Sequence, residues 1–141
     1  MLANDVFEEA GVPTAFVASR IIRANSDEIV EVLLPLWKLA TMGKTLLHLD
    51  QCRFGFQFEP VKLEDLACEG LIRLDAVGTG TDVSFRVHMV GDSKAVAVYS
   101  AEVERRFDTF VDELDQMVRR RVGLEAYEDD LERANLLIAA A

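Results

Sequence analysis

The side chains best suited to chemistry in this sequence are two histidines, two cysteines and a few arginines, and their spacing gives little local chemistry. A metal site needs three or four convergent ligands. No local set of ligands at metal spacing surrounds His48 or His88, so no metal ion is expected, and each histidine is predicted to point away from the main apolar stripe of its strand. Cys52 and Cys68 lack the Cys-x-x-Cys spacing of redox or zinc centres. Either is a nucleophile only beside a base that the sequence does not place. Gly78-Thr79-Gly80 is no nucleotide loop, because no helix follows to offer its N-terminus to phosphate; a turn between two strands explains the glycines. No catalytic residues and no cofactor are therefore expected. Arg20, Arg73 and His88 are the candidate polar anchors, suited to a carboxylate or a quinone-like carbonyl if they face an apolar interior and to salt bridges or packing if they do not.

The elements that must position these groups read clearly. Thr14 to Arg23 is rich in β-branched and aromatic residues and is predicted as a first strand, with Phe16, Ala18, Arg20 and Ile22 on one face. Bulk on both faces argues for a central strand. Asn25 offers a helix N-cap with Glu28 completing a capping box. Ile29, Val32, Leu33, Leu36 and Trp37 then recur at helical spacing, and Pro35 inside this run predicts a kink or two short helices. From Lys44 the period drops to two: Leu47 and Leu49 alternate with polar residues, and Phe54, Phe56 and Phe58 place three rings on one face. Leu63 to Ala67 reads as an acidic connection. Ile72 and Leu74 lead to the glycine turn, beyond which Val83, Phe85, Val87 and Met89 form the cleanest half-buried strand. After Gly91-Asp92-Ser93, apolar residues from Val96 through Tyr99, Phe107, Phe110 and Leu114 to Val122 mark a long amphipathic helix.

Composition bounds the rest. The 141 residues suit one domain, read as an arm or short helix over 1–12, a folded unit over 13–123 and a tail over 124–141. The net charge of −10 repels a phosphate backbone and disfavours nucleic acid; Arg119-Arg120-Arg121 instead complements the negative end of the helix dipole. No run of eighteen apolar residues is present, and the acidic opening segment lacks the regions of a signal peptide. A cytoplasmic protein with two reduced thiols is the expectation.

The order of strand, broken helix, antiparallel strands and long C-terminal helix resembles the SRPBCC superfamily, the helix-grip fold of StAR-related lipid-transfer domains and polyketide cyclases. Ile22-Arg23-Ala24-Asn25-Ser26-Asp27-Glu28-Ile29, the hairpin from Gly70 to Val90, and the helix with Phe107, Phe110 and Leu114 carry the resemblance. Within the superfamily, Glu69-Gly70 through Leu114 is most similar to the G-type branch named for carbon monoxide dehydrogenase. The resemblance implies an α+β fold in which an antiparallel sheet wraps around the C-terminal helix. It also implies a cavity walled by Phe54, Phe56 and Phe58 from one strand and Phe85, Val87 and Met89 from another. The helix would add Tyr99, Phe107 and Phe110, with Trp37 and Met42 at the mouth. Ala67 follows Gly43 by only 24 positions, fewer than typical members have, so a cavity that is shallow, open or completed by a second subunit is expected.

The expected function is binding and delivery of an apolar or amphipathic small molecule such as a lipid, isoprenoid quinone or polyketide. A dimeric, chaperone-like module that binds polypeptide is the alternative, and a cyclase or hydrolase using the same cavity is a third reading. A homodimer, and contact of the apolar C-terminal segment with a membrane surface or a protein, stay open at this point.

Overall fold

The computed structural model describes residues 16–60 and 66–140. Five strands, β1 (Phe16–Ile22), β2 (Leu47–His48), β3 (Arg53–Phe58), β4 (Leu66–Val77) and β5 (Gly80–Gly91), form one antiparallel sheet in the order β1-β5-β4-β3-β2. Helix α1 (Ser26–Ala40) joins β1 to β2, and α2 (Ser93–Ala140) follows β5. Both helices pack on the same face of the sheet, giving two layers around one core. This is the α+β architecture the sequence predicts. The predicted arm over 1–12 and most of the predicted acidic connection fall outside the described residues; β4 begins at Leu66.

Period-two patterning sets the register. Val83, Phe85, Val87 and Met89 of β5 are buried, and directly opposite them on β4 stand Leu74, Ile72, Gly70 and Cys68. Phe54 faces Ile72, Phe56 faces Gly70 and Phe58 faces Cys68, so the three phenylalanines share the helix-covered face. Gly70 is required there, since a Cβ would lie 1.9 Å from the Arg86 carbonyl oxygen and 2.8 Å from the Phe56 ring. Gly78, at φ 59°, supplies the left-handed backbone of the β4–β5 turn.

Four expectations are corrected. Strand β1 lies at the sheet edge rather than in its centre; the outward bulk of Val17 and Ile21 is more than half exposed. On β2 the side-chain alternation is inverted: His48 stands opposite Phe54 with its ring in edge contact at 4.9 Å, while Leu47 faces Gly55 on the outer side. Helix α1 passes through Pro35 as one element of 15 residues instead of dividing in two, with the proline on its exposed side. Helix α2 does not end at Gly123: it runs 48 residues to Ala140, because the Leu-, Glu- and Ala-rich sequence beyond is made of good helix formers that outweigh one exposed glycine.

The termini of α1 follow the sequence closely. Asn25 Oδ1 accepts from the Glu28 backbone N–H at 2.9 Å, and Glu28 Oε1 accepts from the Asn25 N–H at 3.2 Å, which is the expected capping box. At the other end Met42, at φ 57°, and Gly43 turn the chain in left-handed conformations while the Gly43 N–H donates to the Lys38 carbonyl at 2.7 Å. This stop places the last turn of α1, and Trp37 with it, over β3.

Candidate functional site

Trp37 is the hub of the core. It is 2% exposed, and five phenylalanine rings surround it: Phe56 at 4.9 Å, Phe58 at 5.4 Å, Phe110 at 5.6 Å, Phe107 at 6.3 Å and Phe85 at 6.4 Å between centroids. Rings from α1, β3, β5 and α2 meet here because both strands turn aromatic positions inward and α2 repeats Val103, Phe107, Phe110 and Leu114 at helical spacing. The tilted and edge-to-face angles are those favoured by the ring quadrupoles.

On one side of this cluster the packing leaves a cavity of about 220 Å³. Its apolar wall is Trp37, Phe58, Val103, Phe107 and Phe110, and the end of α1 contributes Ala40 and Thr41. Glu59, Pro60 and Arg106 complete the lining. A second, more polar depression of about 470 Å³ adjoins it, sharing Thr41, Phe58 and Glu59 and adding Met42, Lys44 and Gln57.

The polar groups of the wall are few. The Thr41 hydroxyl donates to the Trp37 carbonyl at 2.7 Å. The Trp37 indole Nε1–H is buried and has no hydrogen-bond partner among the described residues. An unpaired buried donor costs about 1–3 kcal/mol, a cost that this nitrogen carries within the packed ring cluster. Arg106 Nε donates to Glu102 Oε1 at 3.2 Å, and Arg105 pairs with the other oxygen of the same carboxylate. The hydrogen bond from Arg106 is the first cause holding the Glu102 carboxyl below the usual range, with Arg105 adding to it. Cys68, fully buried opposite Phe58, has its thiol pushed up to about 12 by burial, which outweighs the lowering influence of the Arg106 charge. It remains a neutral, inert thiol rather than a nucleophile.

The structure brings together Trp37, Phe58, Phe107 and Phe110 from the expected wall. Phe54, Phe56, Phe85, Val87 and Met89 instead form the packed core beneath them. Met42 is 76% exposed and borders the second depression, and Tyr99 is 38% exposed and lies outside the lining of both hollows.

None of the three expected anchors lines either hollow. Arg20 is on the inner face, but its guanidinium pairs with Asp112 and, at 3.3 Å, with the buried Asp115, which also accepts from Arg119 Nε at 3.0 Å. Arg73 lies on the outer face beside Asp75, and His88 lies on that face opposite Glu69. Among the described residues, no group of three His, Cys, Asp or Glu side chains comes together as a metal site. Arg106 and Glu59 were missed by sequence reasoning. For Arg106 the signal is its position one residue before Phe107 on the amphipathic helix, where its side chain borders the buried stripe.

No protein-family model matches this chain, and no curated protein matches it by sequence. Among solved structures it is similar to protein MLL2253 from Mesorhizobium loti, with 13% identity and a TM-score of 0.57, over 74% of this chain and 96% of that one. CalU16 from Micromonospora echinospora is similar at 14% identity and a TM-score of 0.47, over 80% and 83% of the two chains. At such identity the MLL2253 likeness shows the fold alone. That fold is the helix-grip arrangement, an open antiparallel sheet with a long C-terminal helix packed on it.

Proposed function

We propose that this protein binds a compact apolar or amphipathic small molecule in the cavity bounded by the end of α1, β3 and α2. One observation supports the reading above others: the hollow is walled by the rings of Trp37, Phe58, Phe107 and Phe110, with charge confined to Glu59 and Arg106. Such a wall gains affinity by removing ligand surface from water, at about 25 cal/mol per Å², while a few polar groups set orientation. At about 220 Å³ the cavity is smaller than the roughly 300–1,000 Å³ of sites for drug-sized ligands. Its size therefore favours a molecule of one ring, or the head of a longer one, over an enclosed lipid, quinone or polyketide. Sequestration and delivery remain the mechanism, and membership of the carbon monoxide dehydrogenase G-type branch rests on the resemblance of Glu69-Gly70 through Leu114 alone.

Native mass spectrometry of freshly purified protein, with organic extraction, tests this reading. A stoichiometric adduct of small mass supports it. The opposing result is a ligand-free protein whose single tryptophan shows no saturable emission change with neutral aromatic hydrocarbons.

The protein-binding alternative has one observation in its favour: edge strand β1 shows Val17 and Ile21 to solvent at 53% and 58% exposure. A ligand-free dimer in sedimentation, dissociated by Ile21→Lys, would move the assignment there.

A further inference from the structure

At the end of α1 the chain displays apolar side chains that neither the backbone nor the core requires. Leu39 and Met42, at 79% and 76%, are the most exposed large apolar residues among those described. Met42 also holds the left-handed conformation, φ 57°, that a helix C-terminus usually gives to glycine or asparagine. An apolar side chain held in water on strained backbone gains nothing for the fold, and such outliers concentrate at functional positions.

This turn borders the mouth of both hollows. Ala40 and Thr41 line the cavity, and Thr41 and Met42 line the adjoining depression. Helices α1 and α2 run antiparallel: Glu31 pairs with Arg121 at one end, while Ala40 and Val103 both line the cavity at the other. Val98 and Tyr99, exposed in the turns of α2 before Val103, therefore lie at the same end. So does exposed Val90, which stands opposite Ala67 of the depression.

Charge is arranged to match. The chain holds 25 acids in 141 residues, yet residues 32–49 include none, and Lys38 and Lys44 flank the exposed pair. Glu59 is the one acid that lines the hollows beside them. Farther along this end Lys94, Arg105 and Arg106 stand against Asp92, Glu102 and Glu104, so that part is balanced and the excess cation sits on the turn itself. At physiological salt charge acts over roughly 8 Å, so the lysines of the turn, more than the acidic body, set its approach to a surface.

Apolar side chains protruding between lysines suit an anionic lipid surface, where the acyl boundary takes the former and the headgroups take the latter. A stable protein interface buries about 1,200–2,000 Å² of fitted surface, more than one protruding turn offers. We infer that the turn over residues 38–44 docks this protein on an anionic phospholipid membrane, with Leu39 and Met42 entering the headgroup–acyl boundary. That docking sets the mouth of the hollows against the bilayer for exchange of ligand rests on the binding role proposed above; the docking itself rests on the turn alone.

Flotation of the ligand-free full chain with vesicles provides the test. Vesicles of phosphatidylcholine and phosphatidylglycerol in equal parts are expected to carry the protein, and phosphatidylcholine alone to bind it about tenfold more weakly. Met42→Gly removes the apolar side chain and relieves the left-handed strain, so the thermal midpoint should hold or rise while partitioning falls roughly fivefold. Leu39→Gln, at an exposed position, should lower partitioning alike with an unchanged midpoint. Replacing Lys38 and Lys44 together by glutamine should abolish the preference for anionic vesicles. No binding to the mixed vesicles, or binding unchanged in both Met42→Gly and Leu39→Gln, overturns the assignment. A dimer in sedimentation that these two substitutions dissociate, without vesicle binding, would give the turn to a second copy instead. Vesicle binding is read without ligand and hydrocarbon binding at Trp37 without vesicles, so the docking and the cavity stand or fall separately.

Discussion

Cys68 and Cys52 show how environment alone separates two identical side chains. Cys52 is exposed in the β2–β3 turn, whereas Cys68 is buried on the inner face of β4 with its ionisation pushed up to about 12. The native protein should therefore release one equivalent of thiol chromophore in a mildly alkaline thiol assay, and two after denaturation. Two rapid equivalents in the native state would contradict the burial. The same shift has a consequence for stability. Below about pH 9 both the folded and the unfolded thiol are protonated and the contribution is fully present; above it the unfolded thiol ionises while the folded one does not. Stability should fall as pH rises from about 9 towards 12, and Cys68→Ala should flatten that part of the denaturation midpoint against pH. Gly70 is a second case in which one residue decides the local packing. Alanine there would drive a Cβ into the Arg86 carbonyl and the Phe56 ring, at an expected cost of about 2–3 kcal/mol in chemical denaturation.

At the scale of elements, the attachment of α2 to the edge of the sheet depends on one buried acid. Asp115, 3% exposed, holds Arg20 of β1 and Arg119 of its own helix, and Asp112 holds Arg20 from one turn earlier on the helix. Asp115→Ala should cost about 1.5–3 kcal/mol, the range for hydrogen bonds to charged groups. Asp112→Ala, at a half-exposed position, should cost well under 1 kcal/mol. Urea denaturation of both variants checks the ordering, and equal effects would remove Asp115 from this role.

The sequence made the elements legible where a single local rule governs them. The Asn25–Glu28 cap, the Gly78 turn and the inward parity of Phe54, Phe85 and Phe107 all follow from spacing. It was less informative where position in the sheet decides. The edge location of β1, the inverted parity of the two-residue β2, and the diversion of Arg20 from cavity to ion pair depend on neighbours distant in the chain. The candidate site was half legible for the same reason. Aromatic periodicity marks Trp37, Phe58, Phe107 and Phe110, but only tertiary packing leaves the hollow beside them and brings Arg106 and Glu59 to its wall.

Over the whole molecule, the described residues of α2 differ sharply in burial along its length. At about 1.5 Å per residue the helix is roughly 70 Å long. Among the described residues, its fully buried positions run from Val103 to Val118, and Val122 is the last one packed against the core. Leu131 to Asn135 are exposed. A short isolated helix gains little from propensity alone, because most helical stability in proteins comes from burying an amphipathic face. With Leu131 to Asn135 exposed, the helix beyond Gly123 is expected to contribute little to the stability of the sheet and its two packed helices. Ending the chain after Gly123 is expected to leave the thermal midpoint within about 4 °C, the displacement produced by roughly 1 kcal/mol in a domain of this size. Helical ellipticity should fall by the share of the lost segment, while the Trp37 emission and its response to ligand stay unchanged. A drop in midpoint well beyond that, accompanied by a red shift of Trp37, would mean that the distal part of α2 supports the core and the cavity.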